Sequence, residues 1–234
     1  MDVTFRDQLI AARDKRHSKN HPFFDLWEQG KLTKEQTAVY CIQHYHYVTD
    51  YINWLADEAS QIPHRDVKAY LFENLGDEES PEDRHLDMLT DYVVACGLKR
   101  EDVENGKVLP STEALQNWGW CLVYQWPWPA ALVGMFIGLE SQFLDICKKV
   151  VPALHKHYGW PRGAKQIRFF EQHITADEIH GEKGFAIVDK YCVTPELKEM
   201  ALKTIEDATQ KRWRYMNGIY WLALHGKDDD TPTS

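Results

Sequence analysis

The stretch His173-Ile174-Thr175-Ala176-Asp177-Glu178-Ile179-His180 carries two imidazoles and a carboxylate at positions i, i+4 and i+7. On an α-helix these three project from one face. Residues 161–191 contain no proline after Pro161, and Phe169, Phe170, Ile174, Phe185 and Ile187 recur at three- and four-residue spacings, so the pattern predicts a helix. Two nitrogens and one oxygen facing a common point are half of a transition-metal site. The other half must come from other helices.

Two further places can supply it. Glu140 ends the almost uninterrupted apolar run from Ala130 to Leu139, which reads as a helix buried on all sides. A carboxylate there needs a partner, either an Arg or Lys or a metal ion, because an isolated buried charge is very costly. The second place is Asp77-Glu78-Glu79-Ser80-Pro81-Glu82-Asp83-Arg84-His85, where Glu78 and His85 stand seven residues apart around Ser80-Pro81. Taken alone, this acidic run is also what a solvated helix end looks like. Together the three stretches contribute three carboxylates and three histidines, the mixed oxygen and nitrogen set of a carboxylate-bridged pair of iron or manganese ions. A structural zinc site would more often use thiolates.

The elements that must hold these groups are all helical. Residues 4–17 form an amphipathic opening helix, and Thr33-Lys34-Glu35-Gln36 has the spacing of a capping box for a long helix reaching about residue 60. That helix carries Tyr40, His44, Tyr47, Tyr51 and Trp54 at helical spacings, a polar-aromatic stripe suited to a cavity wall or to a core edge. A helix over 65–79 follows. Ser80 as N-cap with Pro81 at the first helical position predicts the next, to Gly97. Helices open at Ser111-Thr112-Glu113, cover about 130–151, carry the histidine motif, and finish from Thr194-Pro195-Glu196 to Gly226, with a turn-rich link over 152–162. No alternating strand pattern or glycine-rich phosphate loop occurs. The expectation is an all-α, single-domain bundle of about seven helices over residues 1–226, with a disordered acidic tail at 227–234.

Composition narrows the partners. A formal net charge of −9 argues against nucleic acid and anionic membranes, which need clustered Lys and Arg. The five cysteines are odd in number, scattered and never spaced as C-x-x-C, which fits reduced thiols in a cytoplasm. No apolar run is expected to span a membrane, and the first residues lack a signal-peptide core. The many aromatics make a homodimer plausible.

Glu78 and His85, then Glu140, then His173-x3-Asp177-x2-His180 resemble the ligand series of the haem-oxygenase-like di-iron oxidases, the CADD-like group related to the PqqC and TenA proteins. The likeness runs from about His21 to Tyr215. It includes His21-Pro22-Phe23-Phe24, Gly30-Lys31-Leu32-Thr33-Lys34-Glu35-Gln36, Asp77-Glu78-Glu79 and Glu140-Ser141-Gln142. The resemblance implies a haem-oxygenase-like fold and two Fe(II) ions, with manganese admissible, held by Glu78, His85, Glu140, His173, Asp177 and His180, with Glu140 bridging. It also implies dioxygen as co-substrate, room for an external electron donor, and a small substrate derived from an amino acid, oxidised by N-oxygenation or by C–C or C–N cleavage. Glu140 and Tyr40 are then the catalytic candidates. Phe24, His44, Tyr47 and Phe169 would line the substrate pocket, and Arg168, Lys148 or Lys149, the cations nearest the motifs in sequence, would hold a substrate carboxylate. In the branch that makes p-aminobenzoate a pocket tyrosine is consumed; that place is Phe24 here, a second family tyrosine is Phe169, and only Tyr40 matches, which weighs against self-sacrificing synthesis.

Rival readings are a CADD-like p-aminobenzoate synthase, a PqqC-like cofactorless oxidase, a TenA-like hydrolase using Cys121 or Cys147, a haem oxygenase with His17 or His21 as proximal ligand, and a non-enzymatic interaction protein sharing the fold.

Overall fold

Side chains that cap backbone amides fix where several helices begin. Thr4 accepts from the Asp7 amide while Asp7 accepts from the Thr4 amide at 3.0 Å, a reciprocal box that starts α1 (Phe5–Asp14). Thr33 and Gln36 form the predicted box at the head of α3 (Lys34–Gln61), with Thr33 N donating to Gln36 Oε1 at 2.8 Å. Thr194, with Pro195 in the first turn, starts α11 (Pro195–His225), which stops at Gly226 in the left-handed region with φ 63°. The structure is a computed structural model and describes residues 3–227, apart from the side chains of residues 175–181.

Between these lie α2 (Pro22–Glu28), α4 (Arg65–Glu78), α5 (His85–Ala95), the short α6 (Arg100–Glu104) and α7 (Pro110–Gln125). One long helix then runs from α8 (Trp128–Leu132) through a π-helical segment (Val133–Glu140) into α9 (Ser141–Tyr158), and α10 (Arg168–Tyr191) carries the histidine motif. Among the described residues there is no strand. The all-α reading holds, with more helices than the seven expected because the short α2, α6 and α8 leave only weak periodic signatures. The tail expected at 227–234 lies, from Asp228 onward, outside the described residues.

The core is built around the π segment. Val133 to Leu139 are all buried, as an all-round apolar run demands. α11 packs along this segment, α10 packs against it and against α9, and α3 lies between α5 and α7. The close fit of α11 depends on Gly138, where an added Cβ would sit 2.6 Å from the Ala208 Cβ.

Three sequence expectations are corrected. Ser80 is not an N-cap and Pro81 does not open a helix: residues 79–84 form a non-helical corner, and α5 begins only at His85. The corner stays unwound because Asp83 is drawn to Arg168 and, at 3.0 Å, to Gln172 of α10. Pro152 does not end its helix, since the buried neighbours Val150, Val151, Ala153 and Leu154 keep the chain helical to Tyr158, and Gly159 at φ 74° terminates it. The helix Trp128–Tyr158 is, against expectation, long and apolar enough to cross a membrane, but 78% of that window is buried inside the bundle, the mark of a core helix.

Candidate metal centre

Six helices, with the run from α8 through α9 counted as one, bring side chains to one cavity of about 30 Å³, enough for a water molecule or two. α3 contributes His44, Tyr47 and Tyr51 from successive turns of one face. The end of α4 and the start of α5 bring Glu78 and His85 to the cavity across the non-helical corner. Glu140 arrives at the end of the π segment, a departure from the α-helix that is frequent at functional sites. Phe169 and His173 come from α10, and Arg212 from α11.

The groups are arranged in pairs. His85 Nδ1 lies 2.6 Å from Glu78 Oε2, and the His85 and His173 rings stand 4.6 Å apart. His173 Nδ1 is 2.6 Å from the Phe169 carbonyl oxygen. A carbonyl can only accept, so the ring proton sits on Nδ1 and the lone pair on Nε2, the tautomer that a metal-ligating histidine uses. The Tyr51 hydroxyl donates to Glu140. Burial pushes the Glu140 carboxyl up to about 7, the Tyr51 hydrogen bond pulls it down and the Glu78 charge pushes it up again. For His85, burial disfavours the charged ring, but the Glu78 carboxylate and its hydrogen bond outweigh this and raise the pKa above the ordinary imidazole value. His44 is held well below that value by burial, then by the charge of Arg212.

Of the six predicted ligands, Glu78, His85, Glu140 and His173 line this one cavity. Asp177 and His180 lie outside the described side chains, although α10 is continuous through both positions. Among the described residues no three of His, Cys, Asp or Glu converge tightly enough to hold an ion by themselves. The donor chemistry nevertheless fits iron: one imidazole locked in the ligating tautomer, a second imidazole with a carboxylate beside it, and a half-buried carboxylate that accepts a hydrogen bond from a tyrosine hydroxyl.

His44, Tyr47 and Phe169 are at the cavity as predicted; Tyr40 and Phe24 are not. Tyr40 is fully buried behind the wall, stacked on His44 with ring centroids 5.0 Å apart, and Phe24 packs between Trp27 and Tyr40 in the core. The predicted carboxylate-binding cations are also elsewhere. Lys149 is paired with Asp25 and, at 3.5 Å, with Glu28; Arg168 is paired with Asp83; Lys148 is exposed. Near the motifs in sequence, none of the three lines the cavity. Among the described residues the Arg or Lys at the cavity is Arg212, 1% exposed, which sits among Lys211 and Arg214 and so resembles a solvated turn of helix. The signal that could have found it is periodic: Thr204, Ala208, Arg212, Tyr215 and Ile219 mark one buried face of α11.

Neither rival histidine reaches the cavity. His17 and His21 cap backbone amides through Nδ1, from Lys19 at 3.1 Å and Phe23 at 3.2 Å, and His21 Nε2 meets Asn217 at 3.0 Å. Cys121 is exposed and Cys147 is buried outside the cavity lining.

Comparison with known proteins bears on the family and the fold. Residues 38–213 match the family described as iron-containing redox enzymes. A 4-aminobenzoate synthase of Nitrosomonas europaea is 29% identical, over 93% of this chain and 91% of its own. The 4-aminobenzoate synthase of Chlamydia trachomatis is 26% identical, over 93% and 92%. Among solved structures, a TenA homologue from Pseudomonas syringae superposes with a TM-score of 0.80 at 15% identity over 94% of each chain. A domain of unknown function with a heme oxygenase-like fold from Shewanella denitrificans gives 0.79 at 22% identity, over 100% and 99%.

Proposed function

This chain belongs to the iron-containing redox enzymes, and from that membership we propose that it is a non-haem di-iron oxygenase or oxidase acting with dioxygen on a small substrate. Glu78, His85, Glu140 and His173 would hold the ions together with Asp177 and His180, whose sequence spacing from His173 is that of one helix face. The observation that carries the reading is His173, whose Nδ1–H is bound to the Phe169 carbonyl and whose ring lies beside both Phe143 and His85 at the cavity. Bound iron would supply the electron transfer to dioxygen that side chains cannot. The protein's own work is positional. The Phe169 carbonyl orients His173, the Tyr51 hydroxyl keeps a proton against the Glu140 carboxylate, and Phe143 and Phe169 supply apolar wall. Anaerobic loading with Fe(II) followed by elemental analysis should give about two irons per chain, and admission of oxygen should give a transient visible absorbance. A chain that retains no iron would refute the reading.

A second reading, formation of 4-aminobenzoate, is supported by the names of the relatives. Phe24 and Phe169 leave it without two of the tyrosines that the self-consuming version of that chemistry uses, while Tyr47 and Tyr51 line the cavity. The expected outcome is that iron-loaded protein exposed to oxygen releases no 4-aminobenzoate unless a substrate is added, and that its intact mass does not drop. Release from protein alone, with loss of a tyrosine side chain by peptide mass mapping, would favour the second reading.

A further inference from the structure

The least expected group at the cavity is Arg212. Its side chain is enclosed by protein, 1% exposed, and a guanidinium remains a cation at every physiological pH. Buried arginines elsewhere are normally matched by a carboxylate, because the desolvation cost is otherwise uncompensated. Among the described residues Arg212 joins no ion pair. Its Nε donates to Ser18 Oγ at 3.2 Å, its guanidinium carbon lies 5.9 Å from the centre of the Tyr47 ring, and its Nη2 has no hydrogen-bond partner. Glu78 and Glu140 share the cavity with it, but Glu78 is engaged with His85 and Glu140 with Tyr51, and both are ligands in the function proposed above.

The arginine is also held rigidly. Ser18, which receives its Nε, donates from both its amide and its hydroxyl to Gln142 Oε1, at 2.7 and 2.8 Å. Gln142 in turn donates to the Gly138 carbonyl, one turn before it and inside the π segment. The guanidinium is thereby registered against the helix that presents Glu140, two residues from Gln142. A charge fixed at a set place relative to a reactive centre, with one edge committed to protein and a donor left over, is the arrangement of an anchor for a planar anion.

We propose that Arg212 binds the carboxylate of the substrate and that the substrate is a small aromatic carboxylic acid. Tyr47, Tyr51, Phe143 and Phe169 line the cavity with aromatic rings, the surroundings that suit a flat ring. The cavity of about 30 Å³ is smaller than such a molecule, so binding must part its walls. The wall with least helical support is the corner at 79–84, between Glu78 and His85. This inference rests on the oxygenase reading for what happens after binding, but not for the binding itself.

The test compares matched probes that differ only in charge: 4-aminobenzoate with 4-aminobenzamide, and L-tyrosine with L-tyrosinamide, by calorimetry on anaerobic Fe(II)-loaded protein and on metal-free protein. At least one acid should bind about 10- to 100-fold more tightly than its amide, the range expected of a charge-assisted contact. Arg212→Gln should abolish that preference, Arg212→Lys should keep part of it because the charge survives without the planar fork, and Ser18→Ala should reduce it several-fold by loosening the guanidinium. Iron content measured in parallel should be unchanged in all three. If neither acid outbinds its amide in the parent, or if Arg212→Lys and Ser18→Ala both fold and bind the acids as the parent does, the proposal is wrong. Absence of iron in a parent that still discriminates acid from amide would instead overturn the oxygenase reading and leave the anchor standing.

Discussion

Among the described residues Glu140 and Glu58 are two carboxyl groups that burial holds far above the ordinary range with no ion pair to either, and they differ in what surrounds them. Glu140 is pushed up to about 7 and Glu58, in α3, to about 8, in both cases first by burial. Glu140 stands at a cavity with three histidines, a second carboxylate and a hydroxyl that donates to it. Glu58, two turns along α3 from Tyr51, is 1% exposed, has an Oε1 without a partner, and feels burial alone. A raised pKa therefore does not by itself mark a site; the neighbours decide whether the carboxylate has chemistry to do or is only a cost to folding.

The largest expected difference between the two is in metal. Glu140→Ala should weaken iron binding by at least the 10- to 100-fold seen when even an outer partner of a metal site is lost, while the helix, which favours alanine, stays folded. Glu58→Gln should leave iron content at the parental level. Equal iron in Glu140→Ala and parent, by elemental analysis after anaerobic loading, would break the comparison at its root.

Stability should respond the other way. Glu58 keeps its proton in the fold up to about pH 8, whereas the unfolded chain releases it near 4.5. Between those values the native state binds more protons than the unfolded state, so stability is full below about pH 4.5 and is lost as pH rises toward 8. Glutamine imitates the neutral carboxyl, so Glu58→Gln should match the parent at pH 4 and exceed it near pH 8 by on the order of 2–4 kcal/mol. Urea denaturation of metal-free protein across that range measures it. A difference that does not change with pH would mean that Glu58 is ionised in the fold and is not the plain cost argued here.

A smaller effect tests the scaffold of the Glu140 side. Gly138→Ala would place a methyl against Ala208, so α11 must shift from the π segment, with a loss of about 1–3 kcal/mol typical of overpacking. Because Gly138 also accepts the Gln142 hydrogen bond, the shift should reach Ser18 and Arg212. An unchanged melting temperature would show that the helices are less tightly apposed than the contact implies.

How far these features were legible in sequence follows from what each depends on. The capping boxes at Thr33 and the start at Thr194-Pro195 are local hydrogen-bond chemistry, and both were readable. Glu140 was readable because an acid at the end of an apolar run has few fates, and His173 because its helix spacing is local. The π segment was not: a run that is apolar on every side has no periodicity to reveal an altered turn. Pro152 was misread because burial of its neighbours overrides a local breaker. Arg168 and Lys149 were close to the motifs in sequence but face away, and their carboxylates, Asp83 and Asp25, come from distant segments that only the tertiary fold brings near. Arg212 was hidden by its charged neighbours Lys211 and Arg214, which make its turn of helix look solvated.

The smallest effect concerns the other wall of the cavity. Glu140, His173 and Arg212 sit within long helices, whereas Glu78 closes α4 and His85 opens α5, with the non-helical corner 79–84 between them. Pro81 lacks an amide proton, and within the corner the backbone contributes little more than the Asp83 to Ser80 bond at 3.1 Å. What ties the corner down from outside is Asp83, held by Arg168 and by Gln172 at 3.0 Å. Arg168 is 46% exposed, so the pair is screened by water and its removal should cost only about 0.2–1 kcal/mol. The local consequence should be clearer than the global one. In Arg168→Ala, amide hydrogen exchange should quicken at residues 79–85 and stay unchanged at 168–174, and the proposed site at Glu78 and His85 should lose iron first. Loading with Fe(II) should slow exchange at the same amides in the parent, because the ion would bind both ends of the corner together. If exchange at 79–85 is the same in parent, variant and iron-loaded protein, the corner is as rigid as the helices beside it, and the two walls of the cavity do not differ in the way their backbones suggest.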